Sequence, residues 1–230
     1  CDSRATPYGE KAYAGLSESF CQTHYLNSPG NFTAAKLAWV KGNQPDVFEK
    51  IAQVLLPGDF IAGRFTSQFT TTASALSEGI LWDFKSNHPA KDLMVFYGFP
   101  TEIFPPVQDL FSDHGTITSA VAAELGLNDT VKVTYKAGDQ PNNAYSLGVL
   151  HPGDIATTAG TSGVVYGIAD ELKFDKENRV NSFAHVNHSA SKASIGVLMC
   201  INGTGILNRW VKQNFFPTLS YSQMNELGSK

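Results

Sequence analysis

The chain has 230 residues, 42% hydrophobic and 17% charged, with 17 Lys and Arg against 21 Asp and Glu for a net charge of −4. That is the composition of a folded globular protein, not of a disordered chain, and the acidic balance offers no basic surface to nucleic acid or to an anionic membrane. No apolar run approaches the roughly 18 residues a membrane-spanning helix needs.

Residues 1–25 place Ala5, Tyr8, Tyr13, Leu16 and Phe20 on a rough 3.6-residue period, which predicts helix. After the Asn27–Asn31 loop, Thr33 is the expected cap of a helix reaching Val40. Pro45 opens another, with Val47, Ile51, Val54 and Leu55 at helical spacing, ended by Pro57-Gly58. Asp59 to Arg64 adds a turn or two of helix, and Thr66 to Ser74 suits extended or turn structure. Residues 85–92 read as polar connection, and Pro100 and Pro105-Pro106 as loop.

Thr116 to Leu125 is an amphipathic helix closed by Gly126. Val131, Val133 and Tyr135 alternate with polar residues as a strand does, leading into Gly138-Asp139, and Asn142 to Leu150 is a helix. From here the pattern changes. Strands are expected at Asp154–Ala159, Val164–Ala169, Phe183–Asn187 and Ile195–Ile201, then a helix from Thr204 to Gln213. The switch puts a domain boundary near Pro152, and no internal repeat at 20–50 residues is visible.

Three cysteines, Cys1, Cys21 and Cys200, without CxxC spacing argue against a disulfide framework or a zinc site and fit reduced thiols in the cytoplasm. Sequons at Asn31, Asn128, Asn187 and Asn202 are short enough to arise by chance, and no signal peptide is visible. His185 and His188 lack metal-ligand spacing, so no protein metal ligand is expected. The aromatics from Phe65 to Phe99 lack the interleaved Lys and Arg of a base-stacking surface and read as core.

Two stretches carry chemistry. Ala137-Gly138-Asp139-Gln140 puts a carboxylate at the end of a predicted strand, where α/β sheets bind ligands and where a base can take a hydroxyl proton. The plain alternative is that Asp139 caps the next helix. Gly160-Thr161-Ser162-Gly163 is a small-residue turn whose N–H groups and hydroxyls can cradle a phosphate, or simply a hairpin turn. It is neither Walker A nor a nucleophile elbow. Base and cradle together point to phosphoryl transfer onto a hydroxyl.

Further segments carry a resemblance. Cys1-Asp2-Ser3-Arg4 is similar to a W-x-D-x-R segment without its Trp, Thr33–Trp39 to T-A-x-K-L-x-W, and Leu56–Phe60 to L-P-x-D-Y. Phe65–Thr72 is similar to L-T-G-E-x-x-T-D, with Thr72 in place of the Asp, and Phe104–Val107 to L-P-x-V. In this shared order the chain resembles the FGGY carbohydrate kinases, the xylulose kinases most closely. The resemblance implies an actin-like, ribonuclease H-like ATPase fold with two α/β domains and a cleft, both incomplete here. Residues 1–152 would be the remainder of the N-terminal sugar-binding domain, and 153–230 the start of the C-terminal ATP-binding domain.

By the same resemblance Asp139 is the general base, Gln140 touches the sugar, and Asp2 and Arg4 lie on the segment that approaches it. Gly160, Thr161, Ser162 and Gly163 would receive ATP phosphates, with Mg²⁺ neutralising their charge. The implied reaction is ATP-dependent phosphorylation of a sugar hydroxyl, with D-xylulose and its 5-phosphate as the expected pair. The partner is a small-molecule sugar, with no nucleic acid or membrane; a homodimer is allowed and a cytoplasmic location expected. Without the family's first D-x-G-T/S phosphate hairpin, the chain reads as an internal piece with little or no turnover alone. A non-catalytic sugar-binding or regulatory module on a kinase-like scaffold is the alternative.

Overall fold

The structure, a computed structural model, describes residues 2–229. Cys1, the first residue of the W-x-D-x-R-like segment, lies outside the described residues. The N-terminal helix is two helices, α1 (Thr6–Leu16) and α2 (Glu18–His24). Ser17 breaks them at φ 76°, and its hydroxyl accepts the Phe20 N–H to cap α2. α3 runs Thr33–Asn43; Thr33 is its first residue rather than its cap, a place taken by Phe32 without any side-chain hydrogen bond.

The helix expected from Pro45 towards Pro57 stops early. α4 covers only Pro45–Phe48, and residues 51–56 have no regular structure, the Val54 N–H donating to the Ile103 carbonyl at 2.7 Å. Pro57 then opens α5 (Pro57–Thr66) instead of ending a helix, because its missing N–H costs nothing at a first helical position. Residues 67–72, between α5 and the next helix, are irregular, with one bridge from Thr71 to Val107.

Thr72 caps α6 (Ala73–Glu78), accepting the Ala75 N–H at 3.2 Å. The polar connection at 85–92 is instead a short hairpin, β1 (Trp82–Asp83) and β2 (His88–Pro89), followed by α7 (Lys91–Tyr97). α8 spans Ser119–Leu125, capped by Thr118 and closed by Gly126 at φ 67° as the sequence implies. Residues 131–136 are extended and exchange hydrogen bonds with residues 114–117 through His114, Val133 and Ile117, but form a single bridge and no longer strand. α9 (Asp139–Ser146) begins at Asp139 itself, three residues earlier than expected.

β3 (Ile155–Ala159), β4 (Gly163–Ala169), β5 (Asn181–Ala184) and β6 (Ile195–Ile201) form one antiparallel sheet in the order β3-β4-β6-β5. α10 (Gly205–Phe215) and α11 (Tyr221–Gly228) follow. Sheet and helices share one core, where Leu76, Ile80 and Trp82 cluster with Tyr166, Phe183 and Ile195. Polar contacts fix the seam: Asn27 Nδ2 donates to the Ser182 carbonyl at 2.7 Å, and the Ala184 N–H donates to Ser77 Oγ at 2.9 Å. Cys21 is buried and Cys200 exposed, both as free thiols.

Candidate active site

Asp139 is exposed at the first turn of α9, and with Gln140 it opens onto a cavity of about 610 Å³. The opposite walls come from Thr33 and Lys36 on α3, Leu56 and Pro57 at the start of α5, Glu78 at the end of α6 and Phe183 on β5. The cavity thus has an apolar lining around a few convergent polar groups, the usual make-up of a small-molecule site. Gln140 Nε2 donates to Asp139 Oδ2 at 3.4 Å, a long contact that leaves both side chains open to a ligand.

A buried charge pair aims this turn. Lys136 Nζ lies 3.1 Å from Asp59 Oδ1, with the side chains 5% and 3% exposed. Thr71 Oγ1 donates to the other Asp59 oxygen at 2.7 Å, and Lys136 donates to both the carbonyl and the hydroxyl of Thr70. Burial pulls the Lys136 ammonium down from its ordinary range, while Asp59 beside it pulls it back up. The ammonium has three partners and each carboxylate oxygen has one, the satisfaction a buried ion pair requires. The segment 137–139 therefore leaves a fixed anchor three residues before Asp139.

Glu78 is the second carboxyl of the cavity. Burial, and secondly the Asp139 carboxylate, push it up to about 8, while the N–H groups of Gln140 and Asp139 hold it down. Its Oε1 is buried without a hydrogen-bond partner.

The remaining predicted residues lie elsewhere. Asp2 and Arg4 pair with each other at 2.5 Å, and the guanidinium stacks 4.2 Å over the Trp39 ring. They line a smaller cavity of about 240 Å³ that shares only Lys36 with the first. Gly160 to Gly163 form the tip of the β3–β4 hairpin, outside both cavities. The Gly160 N–H donates to the Ser162 carbonyl at 3.0 Å. Thr204 Oγ1 and the Gly205 N–H donate to the Gly160 carbonyl at 3.1 and 3.0 Å, seating the turn on the start of α10. In this turn Thr161 is exposed and Ser162 half-buried.

Residues 2–145 match the FGGY family of carbohydrate kinases, N-terminal domain. The chain belongs to the FGGY family of carbohydrate kinases. Over 228 residues it is 30% identical to a xylulose kinase of Bacillus subtilis (strain 168), covering 97% of this chain and 44% of that protein. The crystal structure of xylulose kinase from Rhodospirillum rubrum superposes with a TM-score of 0.87 at 23% identity, over 99% of this chain and 46% of that one. A Plasmodium falciparum glycerol kinase with ADP superposes at 0.80 and 16% identity, over 93% of this chain and 43% of that one. The fold is therefore the actin-like, ribonuclease H-like fold of FGGY sugar kinases, and the chain spans under half the length of the relatives it matches.

Sequence reasoning on this FGGY chain missed Glu78 as a site residue. It is the last residue of a six-residue helix, and nothing local marks it; only its place against Gly138, at the start of α9, does. Thr33 and Lys36 belong to the T-A-x-K-L-x-W-like segment, and the fold turns that face of α3 to the cavity.

Proposed function

We propose that the protein carrying this chain transfers the γ-phosphoryl group of ATP to a sugar hydroxyl, with D-xylulose as the first substrate to test. The observation that carries this reading is the exposed Asp139 carboxylate opening into a sugar-sized cavity, in a chain of a carbohydrate-kinase family. Asp139 takes the proton of the attacking hydroxyl, so that the oxygen attacks as the bond to the leaving ADP oxygen breaks. Gln140, which has both a donor and an acceptor, holds a neighbouring hydroxyl. Asp2 and Arg4 shape the approach to Lys36 from the adjoining cavity. ATP enters as a substrate with Mg²⁺, and the turn Gly160–Gly163 meets its phosphates through the Thr161 and Ser162 hydroxyls. Residues 1–152 act as the sugar side, residues 153–230 as the start of the nucleotide side, in a cytoplasmic enzyme for which a homodimer is allowed.

The test is ADP release by the full-length product of the gene with Mg-ATP against D-xylulose, L-ribulose, glycerol, gluconate and L-fuculose. Turnover with one sugar supports the reading and names the substrate. Silence across the panel from folded protein that still binds a sugar turns the reading to a non-catalytic sugar-binding module. In an active enzyme, Asp139→Asn is expected to lower kcat by about a hundredfold to ten-thousandfold with the sugar KM little changed. Retained turnover removes Asp139 from the role of base.

A further inference from the structure

α9 starts without a cap of its own. Gly138 stands at the capping position and has no side chain to accept the N–H groups of the first turn. The carboxyl of Glu78, reaching across from the end of α6, sits where that cap belongs. It packs so closely on Gly138 that a Cβ at position 138 would collide with it. Its Oε1 is buried there without a hydrogen-bond partner. When ionised, that carboxyl also lies at the favourable end of the helix dipole. Here that group comes from another element, and the residue it steadies is Asp139.

We propose that Glu78 is a positioning residue of the sugar site, capping α9 from outside so as to hold Asp139 in place, and that its ionisation governs how negative the site becomes. This rests on the reading of Asp139 as the base. The titratable and charged groups around Glu78 are few. Asp139 on α9 faces it with like charge, and Tyr166 on β4 lies within its field, pushed up by burial first and by Glu78 second. Lys36 on α3 lines the same cavity. Lys136 and Asp59 in the neighbouring segments are closed on each other. α6 itself has no other charged residue.

Below about pH 8 Glu78 is neutral, and Asp139 is the one carboxylate the sugar meets. Above it a second negative charge stands beside the oxygen that is becoming more anionic and opposite the incoming phosphoryl group. An unfavourably placed charge of this kind raises the transition state. Turnover by the wild-type enzyme is therefore expected to fall as pH rises through about 8.

The test is the pH profile of kcat and of the sugar KM, from pH 6 to 10, for full-length wild type, Glu78→Gln and Asp139→Asn. Glu78→Gln copies the neutral form, so the fall of kcat through pH 8 is expected to disappear. The same fall in both proteins overturns the proposal. Asp139→Asn reports separately on the base: if it stays active, that reading fails, whatever Glu78 does. Gly138→Ala tests the contact from the other side and decides the matter should Glu78→Gln fold poorly. Its Cβ evicts the carboxyl, and kcat is expected to drop about tenfold to a hundredfold through misplacement of Asp139. Wild-type kinetics in Gly138→Ala also overturn the proposal.

Discussion

Asp59 and Lys136 are two charges removed almost wholly from water, and their value lies in each other. Removing one leaves the other buried and unpaired, which costs more than the pair contributes over an apolar replacement. Lys136→Met keeps the volume and deletes the ammonium. It is expected to destabilise the protein by about 3–5 kcal/mol, read as a lower urea midpoint with unchanged slope, and adding Asp59→Asn should recover part of the loss. A cost under about 1 kcal/mol would mean the pair is not closed in solution. Glu78 gives a second prediction, with the sign set by linkage. Its carboxyl titrates near 4.5 when unfolded and at about 8 when folded. The folded state thus holds a proton the unfolded state has lost. The group's favourable contribution is complete below pH 4.5 and declines until pH has passed 8. Glu78→Gln cannot ionise, so its Tm is expected to exceed that of wild type at pH 8.5 and the gap to close towards pH 4.5. A gap independent of pH would show that the carboxyl titrates normally.

At the scale of elements, the features legible in the sequence were those whose physics is local. Gly126 ends α8 in the left-handed region as its lack of a side chain suggests, although the helix starts at Ser119, capped by Thr118, and not at Thr116. The four strands of the sheet stand close to their expected places because Val, Ile, Phe and Tyr run between obvious turns. What failed was governed by distant partners. Val47, Ile51, Val54 and Leu55 keep helical spacing, yet the Val54 N–H is taken by the distant Ile103 carbonyl and Pro57 is used to begin a helix. α6 and α7, six and seven residues long, are too short for periodicity to register and form by packing on β5, β1 and α1. Thr72 explains how a departure from the family pattern is absorbed: threonine, like aspartate, can accept the N–H of a helix's first turn, so the cap on α6 survives the change. The site divided in the same way. Asp139 and Gln140 were legible because a small residue and a carboxylate at the end of an extended run have a local meaning. Glu78 was not, since its meaning comes from Gly138, sixty residues further along the chain.

For the molecule as a whole, the unevenness of burial decides how the 230 residues behave by themselves. Ala12, Ala34 and Leu93, on α1, α3 and α7, are wholly buried, whereas among the described residues α10 and α11 bury none of theirs. Leu207, Trp210 and Phe215 stand 52%, 52% and 63% exposed on one amphipathic helix. An apolar face without a partner gives a helix little to resist local opening. This has consequences for the proposed chemistry, because the start of α10 seats the Gly160–Gly163 turn through Thr204 and Gly205. If α10 opens, the turn loses its support. Hydrogen exchange on the 230-residue chain is expected to leave the amides of α10 and α11 at least about a hundredfold less protected than those of α3. ADP release with D-xylulose and Mg-ATP is expected to stay at background in the same sample. Equal protection of α10 and α3 would mean that the sheet alone holds the helix. Turnover at the rate of the full-length product would mean that the phosphate side is already formed within these residues.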